Sequence, residues 1–233
     1  ERASQLGMEN TLFSSAHGLP PEAGQEGDIT TAAAMAKLAQ ELVKHPEILA
    51  WSSLVTDEFR GGKLIIHNIN KLIGSYEGAD GLKTGHIKEA GFNLTGTAKR
   101  GELRLIVVIM GAKTNQERFS QATKLLNYGF SNYTKAVVAK ADSPIGPTIK
   151  VNHSKTKSIT ATPSSDLSLV LKKAEARAIK QEFQLPESID APVKKGQELG
   201  LLILKSSGKE VGKVTLVSPQ DIPKAGFFWR LFH

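Results

Sequence analysis

The sequence contains no cysteine, so a disulfide framework and a thiolate metal site are both excluded. An absence of thiols suits an envelope protein, where none can mispair, but it does not define a compartment. No run approaches the roughly 18 apolar residues of a membrane span. The six histidines are scattered without ligand spacing, so no metal is expected. The chain opens on Glu1-Arg2-Ala3-Ser4-Gln5-Leu6-Gly7-Met8, with no initiator Met and no charged-then-apolar leader, and reads like the end of a helix already under way. The expectation is that the natural protein begins upstream. Aromatics make up only 6% and few lie among the basic residues, which argues against nucleic acid as a partner.

Hydrophobic residues at 40% and charged residues at 23% describe a soluble globular chain, and 233 residues allow one large domain or two ordinary ones. The net charge of +7 is unevenly placed. Residues 1–140 carry 16 basic against 14 acidic side chains, and residues 141–233 carry 14 against 9. The excess in the second part is a solvated basic surface or an attraction to an anionic membrane or wall polymer.

The periodicity divides the chain. Residues 16–28 are a Gly/Pro-rich loop. Met35, Leu38, Ala39, Leu42 and Val43 share one helical face, with Thr30 or Thr31 as cap and Pro46 as stop. Residues 52–79 read as short strands and loops. Residues 81–86 end a strand, 92–98 alternate as a half-buried strand, and Leu103 to Met110 is a β-branched run expected at the centre of an antiparallel meander. Thr114-Asn115-Gln116-Glu117 is a capping box opening a helix that buries Phe119, Ala122 and Leu126 and ends near Gly129. Asp142 to Pro147 breaks any regular element. After it, Leu167, Leu169 and Leu171 alternate, and residues 199–204 and 211–217 form a hairpin across Ser206-Ser207-Gly208-Lys209.

The expected architecture is α/β over residues 1–140, an antiparallel sheet with helices, followed by an all-β sandwich over 141–222. Residues 223–233 end in GFFWRLFH, where Phe227, Phe228, Leu231 and Phe232 fall on one side of a helix, the start of an amphipathic membrane anchor. The alternative is a terminal segment packed on the sandwich.

The string Asp80-Gly81-Leu82-Lys83-Thr84-Gly85-His86 carries the chemistry. A Lys-Thr-Gly triplet alone occurs by chance in roughly one such chain in twenty. Its context adds weight: a strand end, a Gly-containing loop, two further strands and a capped helix. Lysine supplies a cation beside a reacting group, threonine a hydroxyl to a carboxylate, and glycine an open approach for a substrate backbone. The following N–H, that of His86, can donate to an oxyanion, a contribution of ~3–4 kcal/mol in other enzymes.

With QLGMENTLFSSAHGL before it, ADGLKTGHIKEAGFNLTGTA around it, and APVKKGQELG and IPKAGFFWRLF after it, the chain resembles the low-molecular-weight penicillin-binding proteins, serine-type D-alanyl-D-alanine carboxypeptidases. The resemblance implies a β-lactamase/transpeptidase-like domain whose groove binds substrate through Lys83, Thr84, Gly85 and His86. It also implies that Arg118 helps to bind the terminal carboxylate. It implies release of D-alanine from peptidoglycan stem peptides through an acyl-enzyme, acylation by β-lactams, no cofactor, and residence at the outer face of the cytoplasmic membrane, attached through the C-terminal helix.

The family also needs a nucleophile in Ser-x-x-Lys and a serine in Ser-x-Asn before the triplet, and neither precedes it here. Ser154-Lys155-Thr156-Lys157 and Ser206-Ser207-Gly208-Lys209 match Ser-x-x-Lys only as strings within the β-rich part, so the chain as given lacks its attacking group. The alternatives are a non-catalytic envelope-binding module, or a related β-lactamase or endopeptidase. His17 reads as holding a turn, and Lys194-Lys195 as a surface turn.

Overall fold

In the computed structural model, residues 1–22, 24 and 26–226 are described. They form two compact units, Glu1–Asn132 and Tyr133 onward.

The first unit opens with α1 (Arg2–Gln5), α2 (Ala32–Leu42) and α3 (Pro46–Ser52). A two-stranded hairpin follows, β1 (Thr56–Phe59) with β2 (Leu64–His67). Then come β3 (Ala79–Ile87), β4 (Gly91–Arg100), β5 (Leu103–Ala112) and α4 (Asn115–Asn132). Thr31 is the N-cap of α2, its hydroxyl accepting from Ala34 N at 3.1 Å. Pro46 does more than stop α2. It occupies the first turn of α3, where its missing N–H is no loss.

The strand order is β3-β4-β5, so β4 is the middle strand and β5, expected at the centre, lies at an edge among the described residues. Leu94 to Ala98 of β4 are all buried, whereas β5 keeps Met110 exposed. An apolar run alone does not distinguish a central from an edge strand, because either can be covered on its faces.

Helix α4 packs on β4 and β5, closing a core of Leu72, Leu94, Ala98, Val107, Ala122 and Leu126. Half of the expected capping box forms: Thr114 Oγ1 accepts from Glu117 N at 3.0 Å, while Glu117 Oε2 accepts at 2.9 Å from Lys113 N, one residue before the cap, rather than from the N–H of Thr114. The helix runs through Gly129 to Asn132. Gly129 is buried against Leu105, whose Cδ1 would lie 2.5 Å from an added Cβ, so the glycine serves close packing rather than termination.

The second unit contains β6 (Tyr133–Ala139), β7 (Thr148–Asn152), β8 (Ser158–Thr160), β9 (Thr162–Pro163), β10 (Leu167–Lys172), α5 (Lys173–Arg177), β11 (Ile179–Gln184), β12 (Ser188–Asp190), β13 (Glu198–Ser206) and β14 (Lys209–Val217). Three sheets, β10-β6, β11-β13-β14-β9 and β12-β7-β8, surround one core that includes Ile149, Leu202, Leu204, Leu216 and Ile222. The hairpin turns at Ser207-Gly208, as its sequence predicts. The unit is β-rich but not all β, since the short α5 connects β10 to β11.

The boundary falls at Asn132/Tyr133 rather than at residue 140. β6 pairs with β10 of the second unit, and the 140–147 loop is tied there too, Ile145 N donating to Ala161 O at 3.0 Å. No helix among the described residues is long and apolar enough to cross a membrane. The expected amphipathic segment at 227–233 lies outside the described residues.

Candidate active site

Strand β3 is anchored at its start. Ser52 Oγ donates to Asp80 O at 2.7 Å, and Asn70 Nδ2, itself buried, donates to Gly81 O at 3.1 Å. Asp80 forms a fork with Arg104, whose two terminal nitrogens each lie 2.7 Å from a carboxylate oxygen, and Arg104 also donates to Thr97 Oγ1 at 2.9 Å. A paired fork of this kind restrains orientation as well as contributing energy. The triplet that follows is therefore held by backbone and side-chain bonds before any ligand arrives.

Lys83, Gly85 and His86 are exposed and Thr84 is buried. All four line a cavity of about 470 Å³, together with Thr95 and Met110 of the sheet and Phe13, Asp28 and Met35 from the segment before it. The Lys83 ammonium donates to the Thr84 carbonyl. Nothing lies within 4 Å of the position a Cβ would take on Gly85, so the approach over it is open. The His86 ring stacks on Phe92, centroids 4.0 Å apart. Lys83 thus stands exposed at the cavity wall.

Arg118, expected to help bind a terminal carboxylate, lies beneath the triplet strand. It is 3% exposed and does not line the cavity. Its Nη1 donates to Gly85 O at 3.2 Å and to Asn93 O at 3.0 Å, and Nη2 to Asn115 Oδ1 at 2.6 Å. The guanidinium packs over Phe119 at 4.7 Å and Phe92 at 5.6 Å. Burial pushes its pKa down from the ordinary value. Asn93 and Asn115, which hold it, were not legible as site residues: each is an ordinary polar position in a strand or a first helical turn.

The remaining sequence candidates are absorbed by structure. His17 Nδ1 accepts from Leu19 N at 3.0 Å, holding a turn. Ser154 and Ser206 are buried. Ser154 Oγ accepts from Thr156 N at 3.1 Å and Ser206 Oγ donates to Glu175 O at 2.9 Å, so neither is a free nucleophile. Among the described residues no acidic and histidine cluster could hold a metal.

Residues 1–114 match the family described as D-alanyl-D-alanine carboxypeptidase, and residues 133–224 match the C-terminal domain of penicillin-binding protein 5. The chain belongs to this carboxypeptidase family.

Among curated proteins it is 37% identical over 231 residues to D-alanyl-D-alanine carboxypeptidase DacF of Bacillus subtilis, covering 97% of this chain and 58% of the relative. It is 31% identical to DacC of Escherichia coli, covering 99% of this chain and 56% of that protein. The chain therefore spans somewhat more than half the length of these relatives. Among solved structures, penicillin-binding protein 5 from Haemophilus influenzae superposes with a TM-score of 0.72 at 27% identity, covering 96% of this chain and 64% of that one. Penicillin-binding protein D2 from Listeria monocytogenes, in a cefotaxime-bound form, superposes with a TM-score of 0.52 at 37% identity, over 55% of this chain and 52% of that one. In this carboxypeptidase-family chain the carboxypeptidase match ends at the capping box and the second match begins at β6.

Proposed function

We propose that the first unit forms one wall of the groove of a serine-type D-alanyl-D-alanine carboxypeptidase that removes the terminal D-alanine from peptidoglycan stem peptides. The observation that carries this is the exposed Lys83 and the open Gly85 on an anchored strand beside a cavity. Lys83 supplies the cation for the substrate carboxylate and the reacting serine, Thr84 a hydroxyl, and the His86 N–H an oxyanion donor. The attacking serine belongs to polypeptide carrying Ser-x-x-Lys and Ser-x-Asn, the latter absent from these 233 residues. β-Lactams react with that serine in the same groove. The test is covalent labelling by a fluorescent penicillin. The 233-residue chain alone should not label, the protein that includes the nucleophile should, and Lys83→Ala should slow that acylation at least tenfold. Stoichiometric labelling of the chain alone, or normal rates in Lys83→Ala, would overturn the reading.

The protein is further proposed to work at the outer face of the cytoplasmic membrane. Lys155, Lys194, Lys195 and Lys224 support this. They are exposed, and none has an acidic partner within 4 Å among the described residues. They flank the approach to the aromatic end: Val193 pairs with Ile222, and Ala225 N donates to His153 O at 2.7 Å. Cations there suit an anionic lipid surface. Binding to anionic vesicles should fall when Phe227, Phe228 and Trp229 are made polar, and unchanged partitioning would count against attachment through this end.

A further inference from the structure

Arg118 presents a physical problem. Among the described residues this buried guanidinium has no carboxylate beside it and its Nε has no hydrogen-bond partner, and such a group is costly to desolvate. Such a group persists where its field or its geometry is used. Its two carbonyl contacts show where. One nitrogen within 3.2 Å of Gly85 O and 3.0 Å of Asn93 O requires both carbonyls to point into the gap between β3 and β4. Were that residue pair of the other antiparallel kind, the two oxygens would face opposite edges, beyond the reach of a single donor. The Gly85–His86 peptide is trans. Its N–H therefore points opposite to its C=O, away from β4 and toward the edge of β3 that has no partner strand among the described residues.

We propose that Arg118 is a positioning residue acting through the Gly85–His86 peptide: it clamps and polarises the carbonyl, and so aims and strengthens the His86 N–H as an oxyanion donor. A cation on the carbonyl oxygen draws electron density across the amide and makes the N–H a stronger donor, the polarisation that operates along hydrogen-bond chains. The same clamp fixes the plane of the peptide, so the donor needs no reorganisation when charge develops. This role is additional to the carboxylate contact that the family resemblance implies. The ligands of Arg118 in this structure are two main-chain oxygens and Asn115. The inference rests on the carboxypeptidase reading of the groove, and its test separates the two.

The test uses the protein that includes the nucleophile, with two acyl-D-alanyl thioesters, one ending in a free carboxylate and one in its methyl ester. In Arg118→Gln, which keeps an amide donor but loses the charge, acylation should fall by ten- to a hundredfold on both thioesters, with KM moved less than threefold. Arg118→Lys should recover part of that loss. A loss confined to the carboxylate-bearing thioester, a change in KM alone, or no loss on either would overturn the proposal. A second measurement needs no activity. In the 233-residue chain, the His86 amide proton should shift upfield in Arg118→Gln while resonances of the second unit stay fixed, and an unmoved His86 amide would sink the idea. If the unaltered protein turned over neither thioester, the carboxypeptidase reading would fail while the amide shift still tested the clamp.

Discussion

Gly200 lies in β13 at φ +157°, and a Cβ there would stand 2.0 Å from the Gln184 carbonyl oxygen of the neighbouring strand. That contact is with backbone and cannot be relieved by a rotamer change. Gly208, in the turn of the same hairpin, has φ +80° and open space around it. Gly200→Ala should therefore cost on the order of 3 kcal/mol, through overpacking and strain. Gly208→Ala should cost about 1 kcal/mol, the left-handed penalty alone. Urea denaturation of the two variants checks the difference, and equal losses would contradict the backbone clash. The same contrast runs through the site. Lys83 is exposed, and Arg118 is not.

At the scale of elements, α4 is the most strongly signalled piece of the first unit. Thr114 caps it, and Ala122 and Leu126 bury its inner face. Thr114→Ala removes one satisfied N–H and should lower the stability of the first unit by about 1 kcal/mol. Thermal unfolding followed by far-ultraviolet circular dichroism measures this, with Thr114→Ser expected to restore most of the loss. Because Arg118 lies one turn past this cap and braces Gly85, fraying of the helix start should also slow acylation in the protein that includes the nucleophile. Element type and approximate position were legible here because cap, periodicity and turn chemistry agree. Strand order was not: the run Leu103 to Met110 is as apolar as a central strand, yet β4 lies between its neighbours. Nor was the end of α4, because Gly129 has the composition of a stop and the environment of a packing site.

At the scale of the molecule, among the described residues the second unit closes a core of thirteen buried apolar residues against six in the main core of the first. The larger core should support independent folding. Residues 133–226 produced alone should give a dispersed amide spectrum and one cooperative unfolding transition, and a collapsed or molten spectrum would contradict the division at Asn132/Tyr133. The boundary escaped the sequence because Tyr133–Ala139 follows α4 directly, with no proline or glycine between them. The proline-rich stretch at 142–147 is the more conspicuous break, but it is a loop inside the second unit.

The order of residues by itself determined the local chemistry: which triplet ends which strand, which threonine caps which helix, and where a hairpin turns. These follow from propensity, spacing and covalent geometry over a few neighbours. Only the tertiary structure decided which strand is central, which glycine packs rather than stops, and which main-chain carbonyls the guanidinium at 118 meets. Those outcomes depend on what an element meets from far along the chain, and no local pattern encodes that meeting.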